Sequence, residues 1–141
     1  MPAGLPLCPS ATLAGVEPGQ PLHISGVVGA DGLVTNLRTP LPVDAAMRAE
    51  LQKHGTPERR FRFAAPCAEG RCGNWTEQGG GQCGLIARIR DHVAASDAAP
   101  EPAAALPPCA IRADCRWWRQ DGPSACAVCP LVTYNAAEVE A

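Results

Sequence analysis

The sequence predicts a small, loop-rich α+β protein, with an N-terminal β-hairpin and helix leading into a duplicated, cysteine-rich region with short helices. Three observations predict it. Leu, Ile, Val and Phe supply only 26 of 141 residues, too few for a large aliphatic core. Fourteen glycines and fifteen prolines commit much of the backbone to turns. Eight cysteines offer a second means of holding the chain together. Disorder does not account for the thin core, because a net charge of −2 is far from the high charge that disordered chains carry.

Residues 1 to 65 form the first part: an arm, a hairpin and a helix. Residues 1 to 21 are rich in Pro, Gly and Ala and read as an extended arm that contains Cys8. Leu22–Val28 and Leu33–Leu37 are rich in β-branched residues and flank Ala30-Asp31-Gly32, a hairpin signal. Asp44 is placed to cap a helix reaching about Lys53, ended by Gly55 and Pro57. Arg59 to Phe63 alternates basic and aromatic residues and reads as a half-buried strand whose arginines face solvent. Contact of Arg59, Arg60 and Arg62 with phosphate is the weaker alternative.

Residues 66 to 134 form the second part. One amphipathic helix is expected from Leu85 to about Ala95, with Leu85, Ile86, Ile89 and Val93 on one face. Ser96 to Pro108, with four prolines, reads as a linker, and the chain after Tyr134 as a frayed tail.

The cysteines carry a repeat. Ten residues separate Cys72 from Cys83, and ten separate Cys115 from Cys126, at a common offset of 43. At that offset Trp75 falls on Trp118 and Gly79 on Gly122; Cys67 falls on Cys109 after a one-residue gap. The copies span about 67–86 and 109–130. The second is complete in itself, with Cys109, Cys115, Cys126 and Cys129. The first has Ile86 where a fourth cysteine would stand, which leaves Cys8 to complete Cys67, Cys72 and Cys83. Two four-cysteine sites follow, one of them stapling the N-terminal arm to the body.

Four thiolates suit zinc, an iron–sulfur cluster or, if oxidised, two disulfides. Structural zinc favours close C-x2-4-C pairs, because one ion needs every sulfur about 2.3 Å away. Cys126 and Cys129 form one such pair and Cys67 and Cys72, at C-x4-C, another, but neither copy supplies two. A [4Fe–4S] cube is larger, accommodates ligands ten residues apart, and draws N–H donors from Gly-rich loops such as Gly79-Gly80-Gly81. The spacing therefore favours two [4Fe–4S] clusters, with zinc as the alternative. Cys126-Ala-Val-Cys129-Pro130 and Cys8-Pro9 resemble the C-x2-C and C-P elements of bacterial ferredoxins and other small bacterial iron–sulfur proteins. The ferredoxin run of three cysteines at two-residue spacing is absent, so that fold is not implied.

Trp75, Trp117 and Trp118 flank the cysteines and are expected to shield them as local core. A docking patch for a redox partner, built from Trp117 or Trp118 with Arg116 and Arg119, is the sharper alternative. Arg71, Arg112, Arg116 and Arg119 are placed to offset negative charge. His23, His54 and His92 read as ordinary residues, with His92 the substitute ligand should Cys8 stand apart. No phosphate loop, nucleophile elbow or prominent carboxylate pair occurs, so no catalytic residue is assigned.

The leading expectation is an electron carrier that serves a partner enzyme, rather than a catalyst. An enzyme with one open-coordination cluster, a redox or oxygen sensor and a structural zinc module are the alternatives. The charge balance argues against nucleic acid as a partner. The lack of a long apolar run or a signal-like N-terminus argues against a membrane. A cytoplasmic location is expected, where thiols stay reduced.

Overall fold

A computed structural model describes residues 6–94, 106 and 108–132, in a mixed α+β arrangement. A four-stranded antiparallel sheet is built from β1 (Leu7–Ala11), β2 (His23–Val28), β3 (Val34–Pro42) and β4 (Phe61–Pro66), in the order β1-β4-β2-β3. The β2–β3 hairpin closes where Asp31 and Gly32 foretell it. Gly29 N–H donates to Leu33 O at 2.8 Å, and Asp31 Oδ1 accepts from Leu33 N–H at 3.0 Å. Gly32 takes φ +80°, a conformation costly for any residue with a Cβ.

Helix α1 (Ala45–Gln52) begins at Asp44, whose side chain accepts from Met47 N–H at 2.8 Å. The helix buries no residue completely. Its Arg48 guanidinium holds it to the body by donating to the carbonyls of Leu13 and Val16. Asp44→Ala removes the cap and is expected to lower stability by ~1 kcal/mol, read from the urea midpoint.

Two sequence expectations need correction. The arm is not a loose extension between 7 and 11: it is strand β1, with Leu7 opposite Pro66 and Cys8 opposite Ala65. Backbone pairing with a central strand, more than the cysteine alone, holds it down. The strand read as half-buried runs from Phe61 to Pro66 and is covered on both faces, with Arg62, Phe63, Ala64 and Ala65 all buried. Arg62, expected in solvent, is only 6% exposed. The small side chains of Ala64 and Ala65 let other elements close over both sides of β4.

The second part packs beside this sheet. A two-stranded ribbon joins β5 (Trp75–Thr76) to β6 (Gln82–Cys83), and α2 (Gly84–Ala94) follows directly. Gly81, at φ +107°, lies under the Trp75 ring, where an added Cβ would come within 2.7 Å of Cζ2. Two short helices, α3 (Arg116–Asp121) and α4 (Pro123–Val128), meet at Gly122 (φ +64°). They pack on α2 through a core of Leu85, Ile86, Cys83, Cys115, Trp117, Ala125, Val128 and Val132. A separate core beneath the sheet gathers Leu13, Val16, Leu22, Ile24, Phe63 and Ala65.

The segments related by the 43-residue offset share one local form. A 3₁₀ turn at Glu69–Arg71 ends at Cys72 (φ −89°, ψ 136°), and another at Arg112–Asp114 ends at Cys115 (φ −72°, ψ 129°). Beyond it they diverge, since Trp75 lies on a strand and Trp118 in a helix. Most of the expected 96–108 linker and the tail after Tyr134 fall outside the described residues. Among the described residues, no helix is long and apolar enough to cross a membrane.

Candidate metal centre

The eight cysteines all lie in described positions and carry free thiols. The β1–β4 ladder builds the first set. Cys8 sits opposite Ala65, and the ladder continues as Cys67 N–H donates to Pro6 O at 2.7 Å. Cys72 closes its 3₁₀ turn, and its sulfur accepts from Asn74 N–H at 3.4 Å. Cys83 pairs across the ribbon with Trp75. These thiols influence one another. Burial pushes the Cys8 thiol up to about 12, a hydrogen bond from the Ser10 backbone opposes the rise, and Cys67, Cys83 and Cys72 add to it. Cys8 thus lies within electrostatic reach of the three cysteines of the first copy.

The second set has a different frame. Cys109 packs against Leu7, Ala64 and Ile111. Cys115 stands at the start of α3, as its N-cap residue. Cys126 is in α4, and Cys129 follows that helix directly. Burial pushes the Cys115 thiol up to about 11; the nearby backbone of Trp118 and Trp117 opposes the rise, and Cys129 and Cys109 add to it. Cys129 is also raised, chiefly by burial; Arg62 opposes this, while Cys109 and Cys126 reinforce it. All four cysteines line one pocket, together with Pro9, Arg62, Ile111, Arg112 and Trp117.

The two sets adjoin across β1. Side chains alternate along a strand, and Cys8 belongs to the first set while Pro9 lines the pocket of the second. Leu7 forms a parallel bridge with Cys115. The Gln120 amide grips the Cys83 backbone from both sides, accepting its N–H at 2.7 Å and donating to its carbonyl at 2.9 Å. Arg116 pairs with Glu69 at 2.7 Å and stacks 4.9 Å from the centre of the Trp75 ring. Neither Gln120 nor Arg62 carried any signal of this role in the spacing of cysteines.

Arg62 is the most unusual group here. Its Nη1 donates to Cys129 Sγ at 2.6 Å, and its Nη2 donates to Cys129 O at 2.7 Å and to Val132 O. The guanidinium lies 5.7 Å from the Trp117 ring centre. Among the described residues no carboxylate pairs with it. A buried cation without an anion is costly; Arg62 favours the charged form of Cys129, although burial outweighs it and keeps that thiol raised.

The tryptophans divide between the two roles considered for them. Trp117 is 2% exposed and belongs to the core, so it is no docking residue. Trp118 is half-buried with Arg112 over its ring at 5.7 Å, and Arg119 is held by Asp114 at 3.1 Å. His54 is exposed and contacts Glu50, His23 is half-buried in β2, and the side chain of His92 lies outside the described residues. Among the described residues, no three Cys, His, Asp or Glu side chains converge as the ligands of a single metal ion do.

The raised thiols give a pH dependence to the metal-free, reduced protein. Cys8 and Cys115 keep their protons in the folded chain to about 12 and about 11, against 9.0 without burial. Their contribution is complete below pH 9, where both states hold the proton. Above it the unfolded chain ionises first, and stability falls as pH climbs toward the folded values. Thermal unfolding of metal-free protein under reductant is therefore expected at a lower temperature at pH 10.5 than at pH 8.

Comparison of the chain with protein-family models, with curated proteins and with solved structures finds no match.

Proposed function

We propose that this chain is an iron–sulfur protein, holding two [4Fe–4S] clusters in a duplicated four-cysteine framework and passing electrons to a partner enzyme in the cytoplasm. The observation that carries the reading is the pocket lined by four free cysteines, Cys109, Cys115, Cys126 and Cys129, while Cys8 lies within electrostatic reach of the other three, Cys67, Cys72 and Cys83.

The donor chemistry fits such a group. Every candidate ligand is a thiol, and a backbone N–H, that of Asn74, already points at the sulfur of Cys72. Buried Arg62 offers a positive charge where an anionic centre would sit. Single zinc ions fit less well. One ion needs every sulfur about 2.3 Å away, which favours two close cysteine pairs per site, and neither copy supplies two. Bound, such a cluster takes up and returns single electrons at a potential set by hydrogen bonds to sulfur, burial and charge.

The chain's own residues do the rest. The cysteines anchor, and Trp117 keeps water from the second pocket. Gln120 and the Leu7–Cys115 bridge hold the two sets side by side. The position of Cys8 with its three partners supports full cysteine ligation over an open coordination position. The shared 3₁₀ turn before Cys72 and Cys115 supports descent from one repeated unit.

The test is a potentiometric titration of anaerobically loaded protein with dithionite, followed by electron paramagnetic resonance. Reversible one-electron reduction is expected. Iron-loaded protein with no reversible reduction across the biological range contradicts the electron-transfer role.

A further inference from the structure

We propose that Arg62 makes the two four-cysteine sites inequivalent, setting the second at a higher reduction potential than the first so that electrons run from the Cys8 site to the Cys129 site. The proposal rests on the reading of both sites as iron–sulfur centres and adds an order to them.

The asymmetry is one of charge at sulfur. In the second set a buried guanidinium donates directly to Cys129 Sγ at 2.6 Å, and is fixed by two further bonds to the carbonyls of Cys129 and Val132. Strand β4 presents it from a fully covered position, with the Trp117 ring against it and no carboxylate to cancel its charge among the described residues. In the first set, the Cys72 sulfur accepts from a backbone N–H, that of Asn74, at 3.4 Å. Arg116, over the Trp75 ring at 4.9 Å, is neutralised by Glu69 at 2.7 Å. The 43-residue offset does not reproduce Arg62, which belongs to neither copy: the sheet supplies it to one site only.

Reduction adds one electron to a site, supplied by an external one-electron donor, and breaks no bond in the chain. A fixed positive charge in a poorly solvated position stabilises the more negative, reduced form. The site next to Arg62 therefore fills first. Because Leu7 bridges Cys115 while Cys8 faces the first set, the two sites share a strand across which an electron has little distance to travel.

The experiment uses the full chain, purified anaerobically with iron and sulfide bound, and titrated with dithionite and mediators under electron paramagnetic resonance. Wild type is expected to show two separate one-electron waves. Cys126→Ala should remove the higher wave and Cys72→Ala the lower. Arg62→Gln should lower the upper wave at least tenfold in its reduction equilibrium, which is 59 mV for one electron, with the lower wave unmoved. Arg62→Lys, which keeps the charge, should preserve the order. Coincident waves in wild type overturn the proposal without recourse to any variant. So does loss of the lower wave in Cys126→Ala, or an equal shift of both waves in Arg62→Gln. Protein without iron and sulfide defeats the iron–sulfur reading itself, whereas two waves in the opposite order defeat only the role of Arg62.

Discussion

Replacing Cys8 with Ala is expected to empty one site and spare the other, reducing the bound iron of anaerobically purified protein from about eight to about four per chain. The expectation follows from the way Cys8 is held. Its strand pairs with β4 through Leu7 and Cys8 themselves, and Ala is a small residue well suited to a position opposite Ala65. The sheet should therefore survive the substitution, and circular dichroism of the variant should match wild type. On the proposed reading the thiol is the fourth member of a set whose other three, Cys67, Cys72 and Cys83, lie within electrostatic reach of it. The second set owes nothing to Cys8, since Pro9 is the β1 residue lining its pocket. An unchanged iron content would mean that the first site needs only three cysteines, which would revive an open coordination position. Loss of all iron would mean that the two sets load as one unit.

Trp117→Ala is expected to have the largest effect on folding. The side chain is 2% exposed and sits at the centre of the core formed with Leu85, Ile86, Ala125 and Val128. Truncating a buried aromatic of this size costs about 3–5 kcal/mol, a combination of lost burial and the cavity left behind. That is a large part of the total stability of a small domain. The same ring walls the second pocket and faces the Arg62 guanidinium at 5.7 Å. Water entering through the gap would reach Cys115 and Cys129, so the variant should also lose bound metal faster in air than wild type. Trp117→Phe should retain most of the stability, which chemical denaturation would establish. A variant at Trp118 is expected to be milder, since that ring is only half-buried.

Much of the arrangement was legible in the residues because it depends on local chemistry. Asp44 caps a helix wherever the chain places it, and Asp31-Gly32 closes a hairpin from backbone preference alone. The amphipathic stretch beginning at Leu85 becomes α2 with Leu85 and Ile86 buried, as its spacing predicts. The pocket lined by Cys109, Cys115, Cys126 and Cys129 gathers cysteines that lie within 21 residues of one another, a closeness in sequence that was also legible.

What could not be read depends on contacts between distant segments. Arg62 alternates with Phe61 and Phe63, a pattern that ordinarily places an arginine in solvent. Its burial follows from the segment around Cys129 closing over that face of β4. The pair Ala64-Ala65 was the available signal, since two small residues in succession mark a strand packed on both sides. Strand β1 was hidden by its proline, Pro9, a residue admissible at an edge, and β1 is an edge strand of the sheet. Gln120 looks like a surface residue in the sequence, and only the docking of α3 against β6 brings its amide to the Cys83 peptide.

Quantifying iron, acid-labile sulfide and zinc per chain, in protein purified without exposure to air, tests the central claim most directly. Two cubane sites predict about eight iron and about eight sulfide with no stoichiometric zinc. Two zinc ions per chain without sulfide would contradict it, as would a metal-free protein whose mass reveals paired, oxidised cysteines.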